Sequence, residues 1–437
     1  MSGSAKSRKS YEPRRGLAPW AIMGRGHLPV GVLLLAALLS GCLSTSVPLV
    51  VFDGVSQAKL SLGPNATRGI DPVFWSSTLT GDEARQGLVL EVPTDYLRAY
   101  PASLEVSVKI PDTLGSSVGL ALNDSTGHQV AEAKWAVAAR VILVNDPRPG
   151  TYEIIVAREG DSSQAIPFVV VAQLEPRVHA SGPARDLLPD LVGLVPTRLQ
   201  VPAGDGYRGD GCKTDEYVEH DARRCLRLDG RVGNVGEGAL DVTLSAADGV
   251  VSGVLNNVIY PVLDGHWVQT IQRSDGSKRQ ENVGAAQFHP WHEHFHYQGL
   301  AHYQIYAYDL ANHERGAPVK EGTKAGFCFE DMGLLELGRL GTVPPAYDGY
   351  NCGHPLTQPE KTWGMGLSPG WFDSYVWSLS DQYVEITGVP DGVYELVSRV
   401  NSAGTLIESK LDNNEASVVF RLTGNNVEIL EPHGIAP

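Results

Sequence analysis

Apolar side chains return at every second position in run after run of this chain, and that alternation limits its fold more than any other feature. In "ASLEVSVK" (102–109), Leu104, Val106 and Val108 alternate with Ser103, Glu105 and Ser107. A two-residue period places one set on one face of an extended strand, whereas a helix would scatter it around the axis. The same texture recurs in "SVGLALND", "AARVILVND", "GTYEIIVARE" and "AIPFVVVAQL", with Asp, Asn, Gly and Pro between the runs. It returns in "CLRLDGRVGN", "LDVTLSA", "AHYQIYAYDL", "QYVEITGVPDG", "VYELVSRVN" and "ASVVFRLTG". With 48 Gly and 28 Pro there is little room for long helices. An all-β chain is expected.

A polar stretch, "EPRVHASGPARD" (175–186), separates the two sets of runs. The expected division is a leader (1–41), an N-terminal β-sandwich (42–176), a linker (177–187) and a second β-sandwich with long irregular loops (188–437). The 437 residues suffice for two such cores. The first sandwich carries no cluster of His, Cys or carboxylates, which fits a spacer or binding module; its end is similar to small bacterial pre-peptidase-type β domains.

The leader reads as a targeting segment. Lys6, Arg8, Lys9, Arg14, Arg15 and Arg25 precede the apolar run "PVGVLLLAALL", which is shorter than the ~20 residues of a membrane span. "LSGC" at the end of the run resembles a bacterial lipoprotein processing signal, with Cys42 as the lipidated residue. An exported outer-membrane or cell-surface lipoprotein is expected, held to the membrane by its lipid alone. Residues 1–41 hold six Lys/Arg and one Glu, so the net charge of −15 becomes about −20 without them. Such an acidic domain repels nucleic acid and anionic lipid and attracts cations. Four cysteines remain after Cys42. Three pairings are open, and Cys212–Cys225 with Cys328–Cys352 is preferred because each closes a short loop within one region.

The chemistry concentrates in "FHPWHEHFHYQGLAHYQIYAYD" (288–309). Six of the 13 histidines lie between His289 and His313, and His292, His294 and His296 alternate. On a strand these three share a face, but the outer two Cβ atoms stand roughly 13 Å apart, so convergence on one metal needs a bend. Pro290 and Gly299 bracket the place where a bend costs least. Imidazoles without thiolate suit Cu, Zn, Fe or Ni. His289, three residues earlier and across Pro290, is expected to point elsewhere on a straight strand.

This segment resembles the copper-binding segment of the lysyl oxidases. Further similarity follows in order: "PDLVGLVPTRLQV", "EGTKAGFCFED", "GLSPGWFDSYVWSLSDQYVEIT" and "GVYELVSRVNSAGTLIESKLDNNEASV", together covering about residues 187–423. The resemblance implies copper on His292, His294 and His296. It also implies a lysine tyrosylquinone made by cross-linking Lys324 with Tyr375. The implied reaction oxidises cationic primary amines, peptidyl lysine or polyamines, with O2 to aldehyde, ammonia and hydrogen peroxide. His302 and Asp373 are candidate bases, and each could equally orient a copper histidine. The family's calcium site is matched in part by Asp190, Leu191 through its carbonyl, Glu408, Asn413 and Asn414. Lys410 stands where the family has an aspartate, and Asp412 is positioned to compensate. The alternative is a surface lipoprotein that binds copper without turnover; it accounts for the histidines and leaves Lys324 and Tyr375 idle.

Overall fold

The structure is a computed structural model describing residues 57–59, 72–80, 85–94, 97, 101–111, 117–133, 139–160, 164–176, 182–202, 212, 224–245, 250–255, 258–263, 266–289, 294–322, 326–347, 364–379 and 381–435. The leader and Cys42 lie outside them. Among the described residues every named element is a strand, which agrees with the all-β class that the alternation requires.

The first nine strands form two sheets. Gln57–Lys59, Arg85–Val92, Gly150–Glu159, Ser117–Asp124 and Gln129–Glu132 make one in that order; Val73–Leu79, Ile166–Pro176, Ala102–Lys109 and Ala139–Asn145 make the other. Leu88, Leu90, Leu104, Val106, Ile154 and Phe168 fill the space between them. Trp75 packs edge-on to Phe168, centroids 5.4 Å apart. Each such side chain contributes about 1.5–3 kcal/mol over its exposed state.

The strand Ala102–Lys109 departs from simple alternation. Leu104, Val106 and Val108 face the core, yet Ser103, Glu105 and Ser107 on the other face are buried as well. A further layer covers them. Ala139 and Val141 of the same sheet pack into the second core. The Gly341 amide donates to Glu175 at 2.7 Å, and a Cβ on Gly338 would stand 3.0 Å from Val171. Loop residues 335–342 therefore rest on this sheet. Beneath the sheet's polar face, Gln173 Nε2 donates to Glu105 Oε2 at 2.7 Å. Burial pushes the Glu105 carboxyl up to about 8, the Gln173 bond opposing and the neighbouring Glu175 charge adding to the rise.

From Asp186 onward, three of the sheets position the site. One runs Gly326–Phe327, His294–Gln298, Lys278–His289, His266–Arg273, Leu240–Ser245, Gly364–Leu367, with Asp186–Leu187 added on His266–Arg273. A second runs Leu191–Gln200, Cys225–Asn234, Trp371–Tyr375, Gly333–Leu334, with Tyr383–Glu385 on Cys225–Asn234. A third runs Glu314–Glu321, Ala301–Asp309, Gly392–Val400, Glu415–Thr423, Asn426–His433. Their shared core holds Trp267, Tyr297, Phe329 and Trp371, with the Tyr297 ring centroid 6.5 Å from Trp267 and 6.1 Å from Phe329.

Candidate active site

The histidine segment is one arm of a hairpin. Lys278–His289 and His294–Gln298 pair antiparallel, with His289 opposite His294, Gln287 opposite His296 and Ala286 opposite Tyr297. His289, whose direction the sequence reading placed elsewhere, is described by its backbone alone. His292 lies outside the described residues; His294 is placed by its backbone. His296 is buried, 2% exposed, and its backbone oxygen accepts the Trp267 indole N–H at 3.2 Å. The next residue, Tyr297, turns to the opposite face, into the core, where its hydroxyl donates to Val283 O at 2.7 Å.

The far side of the histidine strand pairs with Gly326–Phe327, Tyr297 opposite Phe327 and Gln298 opposite Gly326. The chain then reaches Cys328. Its amide donates to the Tyr375 hydroxyl at 2.8 Å, and that hydroxyl donates back to the Cys328 carbonyl. Three consecutive residues, 326–328, thus join the histidine strand to the Tyr375 phenol. Lys324, two residues before this segment, lies outside the described residues. Cys328 is disulfide-bonded, and Cys352 lies outside the described residues. The other preferred disulfide is present, Cys212 to Cys225, with Cα atoms 5.4 Å apart.

Tyr375 ends the strand Trp371–Tyr375 and lies opposite Gly230. Only glycine fits there: a Cβ on Gly230 would stand 1.9 Å from the Tyr303 hydroxyl. Asp373, two residues before Tyr375, is buried and accepts the Ser374 amide on Oδ1 at 2.7 Å. Burial pushes the Asp373 carboxyl well above the carboxylate range; Glu330 adds to this, and hydrogen bonding from Tyr375 and the Ser374 amide opposes it. Burial likewise holds the Tyr375 phenol well above its ordinary value, the Asp373 charge adding to the rise. Tyr303 is pushed up to about 12 by burial, its hydroxyl accepting Gln382 Nε2 at 3.1 Å. Burial therefore makes charge costly on both groups.

His302 is placed elsewhere. It alternates with Tyr303 on Ala301–Asp309, so it faces away from the Tyr303–Gln382 contact, and its Nε2 meets Glu321 Oε1 near the surface. Asp331 is a residue that spacing alone did not single out. It accepts the Ser368 amide and hydroxyl at 2.8 and 2.7 Å and the Ala346 and Tyr347 amides at 2.8 and 3.1 Å, tying the loop after Cys328 to the connection that precedes the strand of Tyr375. "GFCFED" was legible as a motif, but its division of labour was not.

The five oxygen-bearing candidates form a separate cluster. Asp190 Oδ1 accepts Asn413 Nδ2 at 2.8 Å, and Glu408 accepts the Leu191 amide at 2.8 Å and Asn414 Nδ2 at 2.8 Å. Asp412 is exposed. Among the described residues, no three His, Cys, Asp or Glu side chains group as a metal site.

Residues 268–431 match the lysyl oxidase family model. Lysyl oxidase homolog 1 of Homo sapiens is 32% identical over 159 residues, 34% of this chain and 25% of that protein. Protein-lysine 6-oxidase of Rattus norvegicus is 30% identical over 158 residues, 34% of each. The chain thus spans about a quarter to a third of these relatives' length. The match begins at Val268, so Asp190 and Leu191 precede it. A pre-peptidase C-terminal domain of a Bacillus anthracis collagenase covers 27% of this chain and 93% of its own at 12% identity; its TM-score of 0.20 is too low to carry an argument.

Proposed function

We propose that this chain, whose residues 268–431 match the lysyl oxidase family model, is a copper- and quinone-dependent oxidase of primary amines with a catalytic domain spanning 188–437. The observation that carries the reading is the 326–328 segment, which pairs with the histidine strand at one end and holds the Tyr375 hydroxyl at the other.

The donor chemistry fits copper. His292, His294 and His296 would hold it through imidazoles without thiolate, a set that suits Cu(II). Copper and the cross-linked Lys324–Tyr375 quinone would together supply electron transfer to O2 and a sink for the electron pair of the amine.

The rest is done by the chain's own groups. Cys328 fixes the Tyr375 ring by gripping its hydroxyl from both backbone atoms. Burial keeps the phenol protonated, so its proton leaves only when an acceptor stands beside it. Asp373 is the neighbouring acceptor: when ionised, its raised affinity for a proton makes it a better base than an exposed carboxylate. We assign the base to Asp373 over His302, which spends its imidazole on Glu321. Cationic amines, peptidyl lysine or polyamines, are the substrates that an acidic surface gathers. Export and lipid attachment at Cys42 belong to the same proposal.

Amine-dependent peroxide release by copper-loaded protein tests this. Turnover that is lost in Tyr375→Phe with copper retained is expected; equal peroxide from both proteins would overturn the assignment.

A further inference from the structure

Asp190 sits just before the strand Leu191–Gln200, and the residues around it come from loop 401–414, more than two hundred positions away. Asp190 is 4% exposed. Its Oδ1 accepts Asn413 Nδ2 at 2.8 Å, and its Oδ2 lies 3.3 Å from Lys410 Nζ. Glu408 Oε2 accepts the Leu191 amide at 2.8 Å; Oε1 accepts Asn401 Nδ2 at 2.6 Å and Asn414 Nδ2 at 2.8 Å. Asn414 is 8% exposed. The Oδ1 atoms of Asn413 and Asn414 are buried and accept no hydrogen bond from the described residues. A buried carbonyl oxygen left without a donor is costly, and two in one cluster mark a place built to face positive charge.

The donors are all oxygen: two carboxylates and two unused amide carbonyls. Hard divalent cations take that set. The cluster also contains a cation of its own. Lys410 is 61% exposed, so its ammonium reaches Asp190 on a flexible stem and can leave without disturbing the core.

We propose that Lys410 is a tethered cation for this cradle, supplying one charge where a divalent ion would supply two, and that it competes with calcium for Asp190. The inference rests on reading the cradle as a cation site. With the Lys410 ammonium at Asp190 Oδ2, the Asn413 and Asn414 Oδ1 atoms accept no hydrogen bond from the described residues.

The test is a titration of the full mature chain with calcium chloride alone, read by calorimetry and by thermal midpoint. Wild type should respond only at millimolar calcium. Lys410→Ala and Lys410→Gln, the latter keeping much of the stem, should bind at least about tenfold tighter, because ligand charge sets affinity at such sites. Lys410→Asp should bind tighter still, and Asp190→Asn should lose the calcium heat. Equal dissociation constants in wild type and both neutral variants would overturn the competition while leaving the cradle as a calcium site. Absence of calcium heat in every variant would overturn the cradle reading and the competition together. None of these readouts depends on amine oxidation, and Tyr375→Phe should titrate as wild type does.

Discussion

Tyr375 and Asp373 lie two positions apart on one strand, and their shared burial decides how each can act. Burial raises the phenol well above its ordinary value and the carboxyl with it, so charge on either is costly and the ionised Asp373 carboxylate is a strong proton acceptor. Asp373→Asn should therefore retain the fold, since an amide oxygen still accepts the Ser374 N–H, and should lower turnover about a hundredfold, the usual scale for a lost base. His302→Ala should leave turnover within a few fold, because its partner is the exposed Glu321. Rates measured on purified, copper-replete variants decide it; the reverse pattern moves the base to His302. At this scale the sequence revealed the spacing of the imidazoles and the two cross-link candidates by resemblance. It could not reveal that the Cys328 backbone grips Tyr375, since amides and carbonyls leave no trace in a residue string.

Strands that alternate cleanly were legible: "CLRLDGRVGN" is the strand Cys225–Asn234 and "SVGLALND" is Ser117–Asp124. Others were disguised by polar residues on duty inside. His266–Arg273 buries Gln269, whose amide bridges the Ile407 carbonyl and N–H at 2.8 and 2.9 Å, and Asn426–His433 is a largely exposed edge strand. Nothing in the residues of Ala102–Lys109 announces that its polar face is buried as well. That burial has a consequence. Glu105, pushed up to about 8 by burial, stays protonated in the folded chain at a pH where the unfolded chain has lost the proton. Its contribution is complete below about pH 4.5, the unfolded value. It falls as pH rises toward 8, with a slope of at most about 1.4 kcal/mol per unit. Urea midpoints between pH 5 and 8 should decline in wild type and flatten in Glu105→Gln.

For the whole molecule, the all-β class was legible from punctuation and period, while the joining of the parts was not. Ala139 and Val141 lie in a run that reads as first-sandwich sequence, yet they pack into the second core, a contact set by shape rather than by any local signal. Charge acts at the same scale. Without residues 1–41 the chain carries about −20, so cationic polylysine and cadaverine should outpace benzylamine at low salt. The advantage should shrink by 0.1 M, where attraction beyond about 10 Å is screened. Rates that are equal and indifferent to salt would remove surface charge from substrate choice. If Lys324 and Tyr375 become one cofactor, as proposed, proteolysis of copper-loaded protein followed by mass spectrometry detects the join. The prediction is a single covalent species joining the peptide of Lys324 to the peptide of Tyr375. Separate, unmodified peptides from a copper-replete sample would contradict it.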